Sequence, residues 1–203
     1  MWDQRYKEDG FAYGTEPNSF LAERANLLRS PILSLGEGEG RNAVFLATLS
    51  LNVLGVDGSS VGLEKARALA RSKGVEIDTE LADLSSYNPP ENFFNSVVSI
   101  FAHLSSDVRQ RLYPRVERSL KSGGVLVFEE YAISQLGRDT GGPKDIDLLT
   151  TTADLESLFP NCDLILSREI EREVIEGRHH TGLSSVIQFI ARKRTEPDSC
   201  DNG

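Results

Sequence analysis

The sequence has little cysteine and no long apolar run. Two of its 203 residues are cysteines, Cys162 and Cys200, which excludes a disulfide framework and a cysteine-rich zinc or iron–sulfur site. No apolar stretch approaches the ~18–20 residues that a membrane-spanning helix needs. The first residues mix charges and lack the apolar core of a signal peptide. We therefore expect a cytoplasmic protein with no metal site and no membrane partner.

Positive charge is scarce relative to negative charge. Lys and Arg together number 22 against 31 Asp and Glu, and the net charge is -9. So acidic a chain argues against nucleic acid as the main partner. We expect a small-molecule partner and a monomer or homodimer.

The length indicates one domain, because domains typically hold ~100–200 residues. We expect it to span residues 1–194, with residues 1–25 as an N-terminal lid or cap. Residues 195–203 lack apolar periodicity and are expected to form a disordered tail.

Short apolar runs alternate with helical patterns along most of the chain. Strands are predicted over 32–35, 53–56, 75–81, 97–101 and 125–128. Helices are predicted over 43–47, from Ser59 or Ser60 to Gly74, from Ser105 or Ser106 to Gly123-Gly124, and over 153–159. Two long strands, 164–175 and 184–192, follow with a loop over 176–182 between them. The order predicts an α/β fold: a parallel sheet with helices on both faces, completed by an antiparallel hairpin.

The most informative segment is the turn Gly36-Glu37-Gly38-Glu39-Gly40, which follows the first strand and opens a helix. From Gly38 the string G-E-G-R-N-A fits the dinucleotide fingerprint, but two carboxylates would repel a pyrophosphate there. S-adenosylmethionine suits the turn better, because Glu37 can hold its ammonium and backbone N–H groups can hold its carboxylate. A tight turn with no ligand is the third interpretation.

Two aspartates follow the next strands. Asp57 ends the second strand, where a carboxylate can accept both ribose hydroxyls, or else cap the next helix. Asp83 follows the third strand and can accept from an adenine amino group, or serve only as a turn residue. Because parallel strands end at one edge of the sheet, the turn and both aspartates predict a single crevice.

These features, together with the Leu120-Lys121-Ser122-Gly123-Gly124 turn, resemble class I S-adenosylmethionine-dependent methyltransferases. Trp2-Asp3-x-Arg5-Tyr6 and Phe11-x-Tyr13-Gly14 resemble the tellurite-resistance (TehB-like) and thiopurine methyltransferase group within that family. The resemblance implies a Rossmann-like sheet of seven strands, the last antiparallel. The chain departs from its relatives at Ser34, where many have Asp, at Glu37, where they have Cys or Ala, and at Ser122, where they have Pro.

The resemblance implies S-adenosylmethionine as cofactor, with S-adenosylhomocysteine as product. Glu37 and its glycines would contact the methionine end, Asp57 the ribose, and Asp83-Leu84 the adenine. The full set of expected cofactor residues is Trp2, Tyr13, Gly36, Glu37, Gly38, Gly40, Asn42, Asp57, Gly58, Asp83, Leu84, Ile100 and Phe101.

In methyl transfer the protein mainly aligns the nucleophile with the methyl group and excludes water. For some acceptors it also removes a proton. Candidate proton acceptors are His103, Glu130, His179 and His180, and the hairpin histidines are equally well explained as solvated loop residues. Candidate substrate residues are Phe101, His103, Tyr131 and His180. The N-terminal aromatics Trp2, Tyr6, Phe11 and Tyr13 are either a lid over a sulfonium or a docked helix.

The leading hypothesis is a methyltransferase that acts on a small thiol, chalcogen or similar nucleophile by in-line displacement. The alternatives are a non-catalytic module that binds S-adenosylmethionine and an NAD(P)-dependent oxidoreductase that uses the G-x-G-x-x-A string.

Overall fold

The computed structural model describes residues 2–177 and 180–195. Its strands are β1 (Ile32–Leu35), β2 (Val53–Asp57), β3 (Asp78–Leu81), β4 (Phe94–Ile100), β5 (Leu120–Tyr131), β6 (Cys162–Glu176) and β7 (His180–Lys193). Its α-helices are α1 (Trp2–Tyr6), α2 (Ser19–Arg24), α3 (Arg41–Thr48), α4 (Ser60–Lys73), α5 (Ser106–Ser119) and α6 (Thr152–Ser157). Three short 3₁₀ turns cover Ala25–Leu27, Ile133–Gln135 and Ile146–Leu148.

The seven strands form one sheet in the order β3-β2-β1-β4-β5-β7-β6. All pairs from β3 to β5 are parallel, whereas β7 runs antiparallel to both β5 and β6. A dinucleotide-binding sheet has the order 3-2-1-4-5-6 and no such inserted strand. The Rossmann-like class I methyltransferase fold with its antiparallel hairpin is therefore confirmed, and the topology argues against the oxidoreductase.

Helices cover both faces of the sheet because successive strand residues point to opposite sides. In β5, Leu126 and Phe128 pack with residues of α5 and α6. Their neighbours Val125 and Val127 pack on the other face with residues of α2 and α3. The central strands are buried on both sides, which explains their continuous apolar runs.

Several boundaries differ from the sequence predictions, including the following three. Strand β5 extends to Tyr131, because its antiparallel pairing with β7 continues to the Tyr131–Val186 pair, and Gly123 and Gly124 lie inside it. The edge strand β3 is shorter than predicted, at 78–81, and its side chains are mostly exposed. The loop predicted over 176–182 is replaced largely by strand, because β6 and β7 pair as far as Glu176 and His180.

Gly40 is required where the glycine turn enters α3. Its φ is +94°, and a Cβ there would lie 2.6 Å from both Cα and Cβ of Ala66 in α4. Only glycine allows α3 and α4 to approach this closely. Gly74, which ends α4, also has positive φ, at +68°, but a Cβ there would meet nothing within 4 Å.

Gly40→Ala should destabilise the protein more than Gly74→Ala, although both residues have positive φ. The left-handed backbone alone costs ~1–2 kcal/mol for an alanine. The clash with Ala66 should add ~1–3 kcal/mol at Gly40, because the Ala66 backbone cannot rotate away. Urea unfolding of the two variants measures the difference. Equal losses would mean that close packing of α3 on α4 does not require this glycine.

Candidate functional site

A cavity of about 620 Å³ lies at the carboxyl ends of β1, β2 and β4. That volume is in the range of small-molecule sites, and its position is where open α/β sheets bind ligands. All but one of the expected cofactor residues line it; they are Trp2, Tyr13, Gly36, Glu37, Gly38, Asn42, Asp57, Gly58, Asp83, Leu84, Ile100 and Phe101. Gly40 does not line the cavity. A glycine is needed at this position because α3 packs closely on Ala66 of α4.

Asp57 joins the glycine turn to the end of β2. Its Oδ2 accepts from the Gly38 N–H at 2.8 Å, and its Oδ1 accepts from the Ser59 N–H at 2.7 Å. Burial raises the pKa of this carboxyl, although both backbone bonds oppose the shift. Each carboxylate oxygen has two acceptor positions, so Asp57 can still accept hydrogen bonds from two ligand hydroxyls.

Glu37 lines the cavity, but its carboxylate is engaged beneath the turn rather than presented to a ligand ammonium. The Ser34 hydroxyl donates to Oε2, and the Ala43 N–H donates to Oε1 at 2.9 Å. Gly55 of β2 leaves room for this side chain, since a Cβ there would lie 2.9 Å from Glu37 Cγ. Two of the three departures from the family pattern, Ser34 and Glu37, therefore lie in direct contact. Burial raises the pKa of Glu37 to about 7.

Asp83 lies at the exposed rim of the cavity. Its Oδ1 accepts from the Ser85 N–H at 2.8 Å, which lowers the pKa of the carboxyl. These contacts are those of a turn residue. An exposed carboxylate in this position has acceptor capacity left for an adenine amino group, so both interpretations fit its geometry.

Stacked aromatic rings form one wall of the cavity. His103 stacks on Trp2 with ring centroids 6.0 Å apart and on Tyr131 at 5.8 Å. Tyr131 in turn stacks on Phe101 at 4.5 Å. Phe101 and His103 both have positive φ, +52° and +51°, and non-glycine residues of this kind concentrate at functional sites. Burial lowers the pKa of His103 to about 4, so its imidazole is neutral at pH 7.

The N-terminal segment closes over the glycine turn through Glu39, which the sequence analysis did not assign to the site. Glu39 Oε2 accepts from the Ala12 N–H at 2.7 Å, and Oε1 accepts from Lys65 Nζ at 3.0 Å. Lys65 also donates to the carbonyls of Glu8 and Gly10, at 2.8 and 2.7 Å. The second acid of the turn therefore holds the chain that covers it. The sequence does contain one signal for this role: the glycine turn carries two acidic residues, Glu37 and Glu39, and a cofactor would need only one of them.

A buried polar cluster behind the cavity was also missed. Asn18 Nδ2 donates to Glu129 Oε2 at 2.6 Å and to Glu176 Oε1 at 2.7 Å. Arg172 pairs with both carboxylates, and Arg41 Nη2 donates to Glu176 Oε2 at 2.6 Å. The cluster ties the N-terminal segment, α3 and the hairpin together. No motif in the sequence indicates this cluster, because its members Asn18 and Glu176 are 158 residues apart.

Glu130 and Tyr131 do not line the cavity. The predicted fifth strand ended at residue 128, which would have placed both residues in the loop beside the cavity, but they lie inside β5. Since β5 continues through them, its alternation turns Glu130 to the opposite face, where it is buried and the Tyr113 hydroxyl donates to it. Glu130 is thus a poor candidate for catalysis. Tyr131 lies one layer behind the cavity, stacked on Phe101 and His103. His179 lies outside the described residues, and His180 is described only as the first residue of β7.

Glu37→Gln tests whether Glu37 is a neutral acid in the folded protein. Below pH 4.5 the carboxyl is protonated in both the folded and unfolded states, so its burial has no ionisation cost. Between that pH and about 7 only the unfolded chain ionises, so folded-state stability is lost as pH rises. The free energy of unfolding of the unaltered chain, measured relative to Glu37→Gln, should fall by about 3 kcal/mol from about pH 4 to about pH 8. A difference that does not vary with pH would contradict a raised pKa.

Within residues 2–177 and 180–195, no group of three or more acidic, histidine or cysteine side chains is arranged to hold a metal ion. The helices of the same part of the chain are all too short or too polar to cross a bilayer.

The sequence matches known methyltransferases. Residues 32–124 match a family described as a methyltransferase domain. An uncharacterised methyltransferase of Bacillus subtilis (strain 168), YodH, is 28% identical over 132 residues, which are 60% of this chain and 54% of that protein. The chain thus spans about half the length of this curated relative.

Solved structures share the fold at low sequence identity. One, from work on the conversion of a disulfide bond into a thioacetal group during echinomycin biosynthesis, has a TM-score of 0.76 at 20% identity, over 98% of this chain and 94% of that chain. TehB from Haemophilus influenzae has a TM-score of 0.73 at 18% identity, over 95% of this chain and 66% of that chain. A methyltransferase from Methanosarcina mazei has a TM-score of 0.70 at 20% identity, over 89% of this chain and all of its own. The sheet order and these structural neighbours together show the class I methyltransferase fold, and residues 32–124 match a methyltransferase domain within it.

Proposed function

We propose that the protein methylates a small soft nucleophile, such as a thiol or a chalcogen anion, by in-line displacement. The observation that carries the proposal is the buried position of His103 in the wall of the cavity, which lowers the pKa of its imidazole to about 4. An imidazole whose pKa is about 4 is a weak proton acceptor at pH 7. An acceptor that is already anionic, or that ionises readily, needs no stronger base.

The residues of the cavity fit the family's cofactor. S-adenosylmethionine, when bound, supplies a methyl group on a sulfonium leaving group. Asp57 would accept from the ribose hydroxyls, since both of its oxygens retain acceptor positions while the Gly38 and Ser59 amides hold them in place. Gly38 allows the Tyr6 hydroxyl to pack directly against the turn, because a Cβ there would lie 2.6 Å from Tyr6 Oη. Asp83 and Leu84, at the rim, would contact the adenine.

The N-terminal segment would act as the lid of this site. Trp2 stacks on His103, and Tyr6 stacks on Trp2 with centroids 5.9 Å apart, so α1 lines one side of the cavity with aromatic rings. The hydroxyl of Ser59 donates to Asp3, which fixes α1 at the end of β2. A closed aromatic lid excludes water and favours a cationic centre below it.

A small acceptor suits this closure better than a macromolecule does. Trp2, stacked on His103, lies along one side of the cavity, and a small acceptor would fit beside this stack without displacing it. One structural neighbour comes from work on the conversion of a disulfide bond into a thioacetal group, which supports a sulfur acceptor. We extend the proposal to a cytoplasmic enzyme with a small-molecule partner.

Asp57→Asn should weaken the binding of S-adenosylhomocysteine by about 10–100-fold, because it replaces a charged acceptor of two hydroxyls. Asp83→Asn is the matched control: the same exchange at the exposed rim should change the dissociation constant by no more than ~3-fold. Isothermal titration calorimetry measures both values, and NADH should give no heat. Equal effects of the two substitutions would contradict the role given to Asp57.

Methyl transfer to a series of thiols with different pKa values tests the absence of a protein base. With S-adenosylmethionine labelled in its methyl group, kcat/KM should rise with pH through the pKa of each thiol, and the midpoint should move with the thiol. His103→Asn should leave these midpoints unchanged. One midpoint common to all thiols would indicate a protein base. Tight cofactor binding without product from thiols, selenite, tellurite or amines would favour the non-catalytic module.

A further inference from the structure

Arg5, in helix α1, carries a positive charge that no described acid neutralises. Its Nη1 donates to the hydroxyl of Tyr13 at 2.6 Å, and its Cζ lies 5.2 Å from the centroid of the Trp2 ring. Within residues 2–177 and 180–195 it forms no ion pair. The side chain is half-buried, and its other two nitrogens are open to solvent. The guanidinium is therefore held in place by a hydroxyl and a ring, and its charge is not compensated.

Three acidic residues lie near Arg5, and each has another partner. Glu39 is paired with Lys65 at 3.0 Å. Asp57 accepts from two backbone amides, and Asp3 accepts from a serine hydroxyl. An anion brought near Arg5 would therefore not have to replace a carboxylate that depends on this guanidinium.

The charge of Arg5 reaches the cavity through the residues that it contacts. Trp2 and Tyr13 both line the cavity, as does His103, which stacks on Trp2 at 6.0 Å. After burial itself, Arg5 is the group that lowers the pKa of His103. The guanidinium does not line the cavity, so it acts on a bound molecule by its charge rather than by direct contact.

The titratable rings between Arg5 and the cavity add no charge of their own at pH 7. Burial raises the pKa of both Tyr6 and Tyr13, and it lowers the pKa of His103 to about 4. All three side chains are therefore neutral. Arg5 then supplies the positive potential on this side of the cavity.

We propose that Arg5 determines acceptor specificity by favouring a molecule whose attacking atom is anionic, namely a thiolate or the anion of a heavier chalcogen. This inference rests on the proposed function and specifies the charge state of its acceptor. A nearby positive charge stabilises the anion relative to the neutral thiol. More of the bound acceptor is then nucleophilic at a given pH.

The reaction needs no proton acceptor in the protein if the acceptor is already ionised. The S–H proton passes to solvent before attack. A lone pair of the thiolate forms the new S–C bond, and the C–S bond of the sulfonium breaks with its electron pair left on the departing sulfur. Arg5 stabilises the starting anion without taking part in either bond.

The fluorescence of Trp2 tests the potential without methyl transfer, because Trp2 is the only tryptophan among the 203 residues. Quenching by iodide, caesium and acrylamide is measured at constant ionic strength, each relative to N-acetyltryptophanamide. In the unaltered chain the relative quenching constant should be at least ~2-fold larger for iodide than for caesium. The net charge of -9 alone predicts the opposite order.

Three variants separate the charge of Arg5 from its packing. Arg5→Gln should remove the difference between iodide and caesium, and Arg5→Lys should keep most of it. Arg118→Gln is the matched control, because the same charge is lost from an exposed side chain just before β5, at the opposite end of the sheet. Acrylamide is neutral, so a rise in its quenching reports a loosened α1. If Arg5→Gln loosens α1, added salt decides on the unaltered chain, because screening should abolish the advantage of iodide.

A pH profile tests the effect on the acceptor. Single-turnover methyl transfer to saturating 2-mercaptoethanol, which ionises only at its thiol, should rise with pH through one midpoint. In Arg5→Gln this midpoint should lie about 1 unit higher, because the bound thiolate loses a nearby positive charge. Arg118→Gln should leave it unchanged. A merely structural role of Arg5 would lower the rate at every pH without moving the midpoint.

The proposal is overturned if caesium quenches Trp2 as well as iodide does in the unaltered chain. It is also overturned if Arg5→Gln leaves the midpoint unchanged, whatever happens to the quenching, because the charge then does not act on the acceptor. If the quenching changes as expected but no thiol or chalcogen anion is methylated, the proposed function fails, and the role of Arg5 in selecting an acceptor fails with it.

Discussion

The hydrogen bond from the Gly38 amide to Asp57 is the interaction on which the cavity depends. It joins the turn after β1 to the end of β2, and the second oxygen of Asp57 holds Ser59 at the start of α4. Gly40 then sets α3 directly against α4. One carboxylate and one glycine thus hold two strand–helix turns at a fixed distance, which forms the floor of the site before any ligand binds.

Part of the acidity of this chain is used inside the fold. Glu37 lies under the glycine turn, Glu39 holds the N-terminal segment, and Glu129 and Glu176 join that segment to the hairpin. Such groups are stable in the interior only when hydrogen bonds or cations compensate their burial. The net charge of the sequence is therefore a poor guide to the potential in the cavity, where Arg41 and the end of α3 add positive charge.

The proposed lid and the proposed chemistry rest on the same stacking. Trp2 covers His103, and the same burial that closes the cavity removes the proton from the imidazole at pH 7. In the proposed function, a site closed by this lid would lose a base while it gained protection from water. Such a site favours acceptors that are nucleophilic without proton removal, and this links the position of α1 to the class of substrate.

The glycine turn, Asp57 and the alternation of strands and helices were predictable from the sequence, because they depend on local backbone conformation and on periodicities of two and 3.6 residues. The contacts of Glu39 and Arg41 were not predictable. Each depends on partners from distant parts of the chain, such as Ala12 for Glu39 and Glu176 for Arg41. The face of the sheet on which Glu130 lies could not be predicted from the sequence either, because it depends on how far β7 pairs along β5. The sequence by itself determined which elements form and which ends of strands meet. The tertiary structure alone decided how each carboxylate is used, because a buried charge takes its partners from whatever packing brings within about 3 Å.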